Sequence, residues 1–365
     1  MDRSLVRAGP RPLIAFDGGA GALMRLHIAN IFLTLITLGL YRFWAKTRIR
    51  RYFWSHSRFE GDRLEYTGTG GELLKGFLLI VFLVLVPLFG GLAAVQIWLE
   101  ATAPELAPIV AVTQLLLILY LTPVALYRAR RYRLSRSQWR GVRGGQTGSG
   151  WVYGAKSLAA YVLGLISLGF AWPALSLWLS RYRLSNTWFG DRQLVFEGRA
   201  GALYKTYFAV LASSLVLAVV ATVAIGILVP EGSFDIEPGQ LEAAQSAESL
   251  VVFLPLLLLV FVAVPWFWYR AKVYRCLAEW TRLDGLRFEA EVTGASLLWL
   301  SLGNMVLLVV TLGLGAPLIY LRRARYIARR LDVRGTMDFD AVVQSSLAQP
   351  VTGEGLADAL DTGGF

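Results

Sequence analysis

Residues 77–98 read FLLIVFLVLVPLFGGLAAVQIW, and this stretch decides the class of fold. A helix needs about 20 apolar residues to cross the hydrocarbon core of a bilayer, and this run holds no charged residue. A second apolar run follows at 108–127, and the interval from Gly76 to Tyr127 contains no Lys or Arg. The two runs therefore predict a pair of transmembrane helices.

A second pair of apolar runs lies at 207–229 and 250–269, in another interval without Lys or Arg, from Thr206 to Tyr269. Acidic connections join the runs of each pair, with carboxylates at Glu100, Glu105, Glu231, Asp235, Glu237, Glu242 and Glu248. All 36 Lys and Arg residues lie outside the two intervals. Because basic residues collect on the cytoplasmic side of membrane proteins, we expect the basic loops and the C-terminal tail to be cytoplasmic.

The composition excludes several classes of protein. Of 365 residues, 56% are hydrophobic and only 17% are charged, which is unlike a soluble domain or a disordered chain. The formal net charge of +11 is typical of a protein that binds nucleic acid or an anionic membrane. Since the basic residues flank apolar runs, we expect the partner to be the lipid bilayer, through anionic phospholipid headgroups, and not nucleic acid.

The sequence shows no motif typical of a catalytic or metal-binding site. Cys276 is the single cysteine, and it has no partner for a disulfide or a thiolate metal site. His27 and His56 stand apart, so we expect no metal and no cofactor. The sequence matches no nucleophile elbow, zinc-protease helix or phosphate loop. We therefore predict a protein that is not an enzyme. No apolar region with a cleavage site occupies the first 15 residues, so no signal peptide is expected.

Three further apolar segments, 26–41, 158–180 and 295–321, are flanked by basic residues at both ends. A single crossing would place one basic loop outside, against the usual charge bias. We therefore expect these segments to be re-entrant or interfacial, and Gly and Pro in the middle of the second and third support a broken helix. The alternative is an ordinary kinked span.

The three segments share a short motif. Thr37-Leu38-Gly39 recurs as Thr311-Leu312-Gly313 and, more loosely, as Ser167-Leu168-Gly169. This pattern predicts an internal repeat, which is common among transporters with broken helices at the substrate path. The candidate pathway or broken-helix positions are Asn30, Thr37, Gly39, Asn304, Thr311 and Gly313. For the two asparagines, the alternative is a hydrogen bond between helices or a cap on the broken backbone.

Basic, aromatic helices follow the apolar segments. In the first, Arg42, Lys46 and Arg50 recur every four residues and therefore share a face. The candidate contacts to anionic lipid are Arg42, Lys46, Arg48, Arg50, Arg51, Arg128, Arg131, Arg181, Arg322 and Arg325. The alternative is that these charges only orient the spans. Alternating residues around glycine, as at 63–68, 193–198 and 287–292, predict small cytoplasmic β-hairpins after the helices.

The expected fold class is an all-α polytopic membrane protein. It would have four full transmembrane helices, three re-entrant or interfacial helical segments, internal repeats and small cytoplasmic β-hairpins. The segments are a cytoplasmic N-terminal segment (1–25), the first broken segment with its basic helix and hairpin (26–75), transmembrane hairpin 1 (76–127), a basic loop with the second broken segment (128–205), transmembrane hairpin 2 (206–269), a basic loop with the third broken segment (270–342) and a disordered tail (343–365).

The run Thr37-Leu-Gly-Leu-Tyr-Arg-Phe-Trp-Ala-Lys46, with Phe16-Asp-Gly-Gly19 before it and Tyr66-Thr-Gly68 after it, resembles the YjgN-like family. The resemblance covers about residues 13–342, although the middle copy of the run departs from it. It implies a multi-pass protein of the bacterial inner membrane, in a family of unknown function, and it brings no catalytic residues. We hypothesise a transport or channel-like protein. The alternative is a non-catalytic scaffold that binds anionic lipid or a cytoplasmic partner through the basic helices. The sequence leaves the oligomeric state open.

Overall fold

The computed structural model describes residues 11–228, 262–344 and 347. The helices are α1 (Ala20–Ile36), α2 (Arg42–Ser55), α3 (Gly70–Ile80), α4 (Val86–Thr102), α5 (Ala107–Arg136), α6 (Gly150–Ile166), α7 (Trp172–Ser185), α8 (Gly201–Leu228), α9 (Trp266–Glu279), α10 (Gly294–Val310) and α11 (Ala316–Ala328). The strands are β1 (Arg11–Pro12), β2 (Ala15–Phe16), β3 (Ser57–Phe59), β4 (Asp62–Tyr66), β5 (Ser137–Trp139), β6 (Val142–Gln146), β7 (Thr187–Phe189), β8 (Arg192–Phe196), β9 (Thr281–Leu283), β10 (Leu286–Ala290) and β11 (Leu331–Arg334). The chain divides into two compact units. One contains the strands with α1 to α7 and α11, and the other contains α8, α9 and most of α10.

The strands of the described residues form one antiparallel sheet in the order β1-β11-β10-β9-β8-β7-β6-β5-β4-β3-β2. The two ends of this sheet belong to one short segment, since β1 pairs with β11 and β2 pairs with β3. Between them, the Leu13 amide donates to the Leu331 carbonyl oxygen at 2.9 Å. The N-terminal segment therefore nearly closes the sheet on itself, which protects the edges of both end strands.

Tight turns join the strands of each β-hairpin. Glu60 and Gly61 have φ values of +48° and +86°, and Arg140 and Gly141 have +49° and +77°. Two consecutive positive φ values are typical of a turn whose twist matches that of the strands, and glycine adopts this conformation without a steric cost. The alternating stretches around glycine thus form β-hairpins, as the sequence pattern predicts.

The interior of the sheet is filled with apolar side chains. Trp139 packs edge-on against Phe59, with ring centroids 5.1 Å apart, and its ring centroid lies 6.0 Å from that of Phe189. Leu283, Leu286 and Val333 continue this core, and Met337, Phe339 and Val342 pack against it from the segment after the last strand. Burial of this apolar surface supplies the main stabilisation of the sheet.

Each β-hairpin is followed along the chain by a helix. The helix that begins at Gly70 continues through the π-helical residues Val81–Leu85 to Thr102, and the chain returns through α5. Candidate membrane spans by length and composition in the described residues are Gly70–Thr102, Pro104–Arg136 and Gly201–Val223. The first predicted pair of transmembrane helices lies within the first two of these.

The predicted fold class is wrong in two respects. The protein is not all-α, because its β-hairpins join into an 11-stranded, nearly closed sheet in the described part of the chain. The described residues also hold three candidate spans and not four. Of the fourth predicted span, residues 250–261 lie outside the described residues, as do the acidic connection 231–248 and most of the tail 343–365.

The all-α prediction is wrong because the edge strands of each β-hairpin pair with neighbouring β-hairpins. Strands of three to five residues predict small separate hairpins when each is considered alone, and an isolated two-stranded hairpin is marginally stable in water. Here each hairpin edge pairs with the next hairpin, as Leu64 of β4 does with Trp139 of β5, 75 residues further along the chain. A local pattern of alternation carries no information about that pairing.

Candidate functional site

The three apolar segments expected to enter and leave by one face each fold as two helices joined by a tight turn. We call them the first (α1/α2), second (α6/α7) and third (α10/α11) short hairpins. Their turns lie at Leu38-Gly39, Leu168-Gly169 and Leu312-Gly313, with φ near +48° at each leucine and +91°, +85° and +87° at the glycines. Only glycine adopts the latter values without strain, so the glycines set the point at which the chain reverses.

A hydroxyl group stabilises each of these turns. The Thr37 hydroxyl donates to the Leu33 carbonyl oxygen at 2.7 Å and accepts from the Tyr41 amide at 2.9 Å. The Thr311 hydroxyl does the same with Leu307 and Gly315, at 2.6 and 2.8 Å. In the second short hairpin the Ser167 hydroxyl donates to the Gly164 carbonyl oxygen, one residue nearer along the chain, and accepts from the Ala171 amide. These side chains satisfy backbone groups at the helix ends, so four of the predicted pathway residues, Thr37, Gly39, Thr311 and Gly313, build the turns.

The tips of the short hairpins are apolar and exposed. Leu38 is 95% exposed, Leu168 83% and Leu312 91%. The residues just before them are exposed and apolar as well, namely Leu35, Ile36, Leu165, Ile166, Val309 and Val310. Patches of this kind on a soluble protein mark an interaction with another protein or with a membrane.

The two predicted asparagines lie inside the protein. Asn30 is buried in α1, and its side-chain amide donates to the Ala45 carbonyl oxygen of α2 at 3.4 Å. It therefore contacts the second helix of its own hairpin. Asn304 is buried in α10, at the same distance before its turn. A role for either residue in a transport path stays a prediction.

Four of the arginines predicted to contact lipid share a different contact. Arg51 donates to the Gly68 carbonyl oxygen at 2.9 Å, and Arg181 to that of Gly198 at 2.8 Å. Arg131 donates to Gly148, again 17 residues further along the chain. Arg325 donates to Gly18 at 2.9 Å, across the closure of the sheet. Each contact joins a basic helix to a glycine that lies just after a strand, namely β4, β8, β6 and β2 in the order given, so we call these four arginines the junction arginines.

The other predicted lipid contacts lie in varied surroundings. Arg50 is only 2% exposed and donates to the Tyr66 hydroxyl at 3.2 Å. Arg48 is exposed and donates to the Tyr41 hydroxyl at 2.7 Å. The Arg42 guanidinium lies over the rings of Phe43 and Phe77, 4.9 and 4.8 Å from their centroids. The remaining three positions lie on the helices that return to the sheet: Lys46 on α2, Arg128 on α5 and Arg322 on α11.

The sequence patterns missed a polar cluster between α3 and α5. The Tyr132 hydroxyl donates to the Glu72 carboxylate at 2.6 Å, and Arg136 donates to its other oxygen at 3.0 Å. Tyr132 is fully buried. The spacing of Tyr132 and Arg136 places both on one helix face, but nothing local links them to Glu72, 60 residues away. This cluster holds the base of the first long helix against α5.

Comparison with known proteins identifies the family but no activity. The family model described as "Bacterial protein of unknown function (DUF898)" matches residues 11–359. The chain is similar to the "Inner membrane protein YjgN" of Escherichia coli O157:H7, 26% identical over 134 residues, which is 37% of this chain and 31% of the relative. It is 33% identical over 75 residues to the Salmonella typhimurium protein of the same name, covering 20% of this chain and 19% of the relative.

The matched regions span less than a third of the length of these curated relatives. No solved structure matches the chain. The family match nevertheless confirms the resemblance to YjgN-like proteins, and with the apolar helices it identifies a membrane protein.

Proposed function

We propose that this chain, which belongs to the DUF898 family of bacterial proteins of unknown function, is a non-enzymatic, transport-class protein of the inner membrane whose cargo is membrane lipid. The observation that carries the proposal is the set of three short hairpins, each ending in an exposed leucine at a tight turn. In this proposal the tips enter the bilayer from the side of the sheet, which is cytoplasmic by the distribution of basic residues.

The lengths of the helices support this role. The first helix of each short hairpin has 17 residues, which is about 25 Å of helix. The helix from Gly70 to Thr102 has 33 residues, or about 50 Å. A hairpin that starts at the sheet and ends within a hydrocarbon core of about 30 Å leaves a mismatch, and the bilayer responds by thinning or rearranging. Lipid headgroups cross a thinned, disturbed bilayer more readily than an intact one.

Two observations favour lipid transport at the short hairpins over a channel or a scaffold function. The core of the sheet is filled by Trp139, Phe189 and their apolar neighbours, which disfavours a water-filled channel along its axis. The junction arginines direct guanidinium groups to backbone carbonyl oxygens. That geometry weakens the alternative of a scaffold that binds through all the basic helices.

The experiment is reconstitution of the full chain into liposomes that carry a fluorescent phospholipid. A membrane-impermeant quencher then reports the fraction of labelled lipid that reaches the outer leaflet. We expect the wild-type protein to raise the rate of exchange between leaflets. The variant L38N/L168N/L312N should abolish most of this increase, because asparagine tolerates positive φ and changes mainly the polarity of the tips.

The control variant is V195Q, since Val195 is 48% exposed on a strand of the sheet and away from the tips. It makes a comparable change from apolar to polar and should leave lipid exchange unchanged. Wild-type protein that gives no exchange, or tip variants that exchange lipid as fast as wild type, would contradict the proposal.

A further inference from the structure

The second helices of the short hairpins differ at two positions, and only the first short hairpin carries cations there. Arg42 lies three residues after Gly39, and Lys46 lies seven after it. The same positions after Gly169 are Trp172 and Ser176, and after Gly313 they are Ala316 and Tyr320. The hairpin geometry is thus built without cations at these positions in two of its three occurrences.

The junction arginines show the opposite pattern. Twelve residues after the turn glycine, the three short hairpins carry Arg51, Arg181 and Arg325, and all three donate to a glycine carbonyl oxygen. A cation required by the scaffold therefore recurs in every short hairpin, whereas Arg42 and Lys46 occur in the first alone. The recurring geometry of the short hairpins therefore does not require a cation at either position.

The position of Arg42 shows how the cations of α2 are arranged relative to α3. Its guanidinium lies 4.8 Å from the ring centroid of Phe77 on α3, seven residues after that helix begins at Gly70 and so about 10 Å from its start. Lys46 lies one turn closer to the sheet on α2, and Arg50 one turn closer still, so the three cations follow one another at intervals of about 6 Å. They run from the hairpin tip to Arg50, which is buried beside Tyr66.

We propose that Arg42 and Lys46 form a binding site for the phosphate group of an anionic phospholipid headgroup, at the surface where α2 lies beside the long helix that begins at Gly70. The inference deepens the proposed function, on which it rests, by naming the lipid class and the hairpin that receives it. The Phe77 ring beneath the Arg42 guanidinium is only partly buried, so an acyl chain would meet this ring while the phosphate meets the two cations. Charge complementarity selects lipid with net negative charge over zwitterionic lipid.

The test measures binding of fluorescent phosphatidylglycerol, with fluorescent phosphatidylcholine as the zwitterionic comparison, to the full chain in detergent micelles. We expect R42Q/K46Q to bind phosphatidylglycerol about 30-fold more weakly, because each charge near a lipid surface contributes about 1 kcal/mol. Binding of phosphatidylcholine should not change. The matched control is R282Q/R287Q, which also removes two positive charges, at exposed positions on β9 and β10, and it should retain binding within about threefold.

Two further measurements distinguish loss of the binding site from misfolding of the variant. The exchange R42K/K46R preserves both charges and should bind phosphatidylglycerol as wild type does. Wild-type binding should also weaken as salt rises from 0.1 to 0.5 M, because salt screens partly exposed charges. Affinity that is insensitive to salt, or R42Q/K46Q that binds like R282Q/R287Q, would overturn the site.

Inorganic phosphate serves as a competitor to identify the source of the phosphate. If it does not displace phosphatidylglycerol, the ligand is the lipid, as proposed. If it displaces the lipid completely at millimolar concentration, the site binds free phosphate and the lipid assignment fails.

The proposed transport role and the proposed binding site can fail separately. Lipid exchange without preference for phosphatidylglycerol overturns only the site, and binding at Arg42 and Lys46 without exchange overturns only the transport role.

Discussion

The first and second short hairpins have the same dimensions, with 17 residues in the first helix and 14 in the second helix of each. Their turns have the same φ values and the same type of hydroxyl cap. They differ in polarity, since the first nine residues of α2 carry Arg42, Lys46, Arg48 and Arg50, whereas the first nine residues of α7 carry no charge. Shared features of the two hairpins thus identify what the scaffold needs, and the differences identify where a ligand is recognised.

The largest expected effect concerns the turn glycines, which the two hairpins share. Gly39→Ala and Gly169→Ala place a Cβ at φ values of +91° and +85°, which costs about 1–2 kcal/mol of stability in each hairpin. Thermal unfolding of the purified protein in detergent should show a similar decrease in Tm for both variants.

Gly21→Ala is the control for this pair. Gly21 lies in α1 with open space around the position of a Cβ, so alanine should leave Tm unchanged or raise it, by up to about 1 kcal/mol of stability. A decrease for Gly39→Ala but none for Gly169→Ala would mean that the two turns are not equivalent.

The second expected effect separates the junction arginines from the ligand site. Arg51→Gln and Arg181→Gln each remove a hydrogen bond to a glycine carbonyl oxygen, at a cost of about 1 kcal/mol. We expect equal decreases in Tm and unchanged affinity for phosphatidylglycerol, measured as described for R42Q/K46Q. Weakened lipid binding by Arg51→Gln, as strong as that of R42Q/K46Q, would show that the whole basic helix attracts lipid and would remove the distinction.

The smallest expected effect concerns Asn30. Nine residues before the turn glycine, the first hairpin has Asn30 and the second has the fully buried Ala160, so the scaffold accepts alanine there. Because the hydrogen bond to Ala45 is long, at 3.4 Å, Asn30→Ala should change stability by less than about 1 kcal/mol. Lipid exchange in liposomes should also be unchanged.

This variant decides between the two roles that the sequence left open for the asparagines. A pathway role requires that Asn30→Ala, combined with Asn304→Ala, slows lipid exchange while Tm stays constant. A bond between helices requires that any loss of exchange follows a loss of Tm. Wild-type exchange with wild-type Tm would leave neither asparagine in the path.

Much of the local structure could be predicted from the sequence. The Thr-Leu-Gly and Ser-Leu-Gly motifs mark the reversal of each short hairpin, because a turn of this kind needs glycine and a hydroxyl within four residues. The alternating stretches at 63–68, 193–198 and 287–292 mark the β-hairpins for the same local reason. The lipid assignment of the arginines could not be resolved in this way, because Arg42 and Arg51 look alike until their partners, Phe77 and Gly68, are known.

By itself, the sequence determined that this is a membrane protein, where the three long helices of the described residues lie, and where its chain reverses, since hydrophobic length, charge distribution and glycine turns act within a few tens of residues. The tertiary structure decided that the hairpins join into one nearly closed sheet. It also decided which arginines bind backbone carbonyl oxygens next to that sheet and which one lies over the Phe77 ring of α3, as Arg42 does. Strand edges and guanidinium groups choose partners that are tens to hundreds of residues away, as Arg325 does with Gly18, and only folding brings those partners within hydrogen-bonding distance.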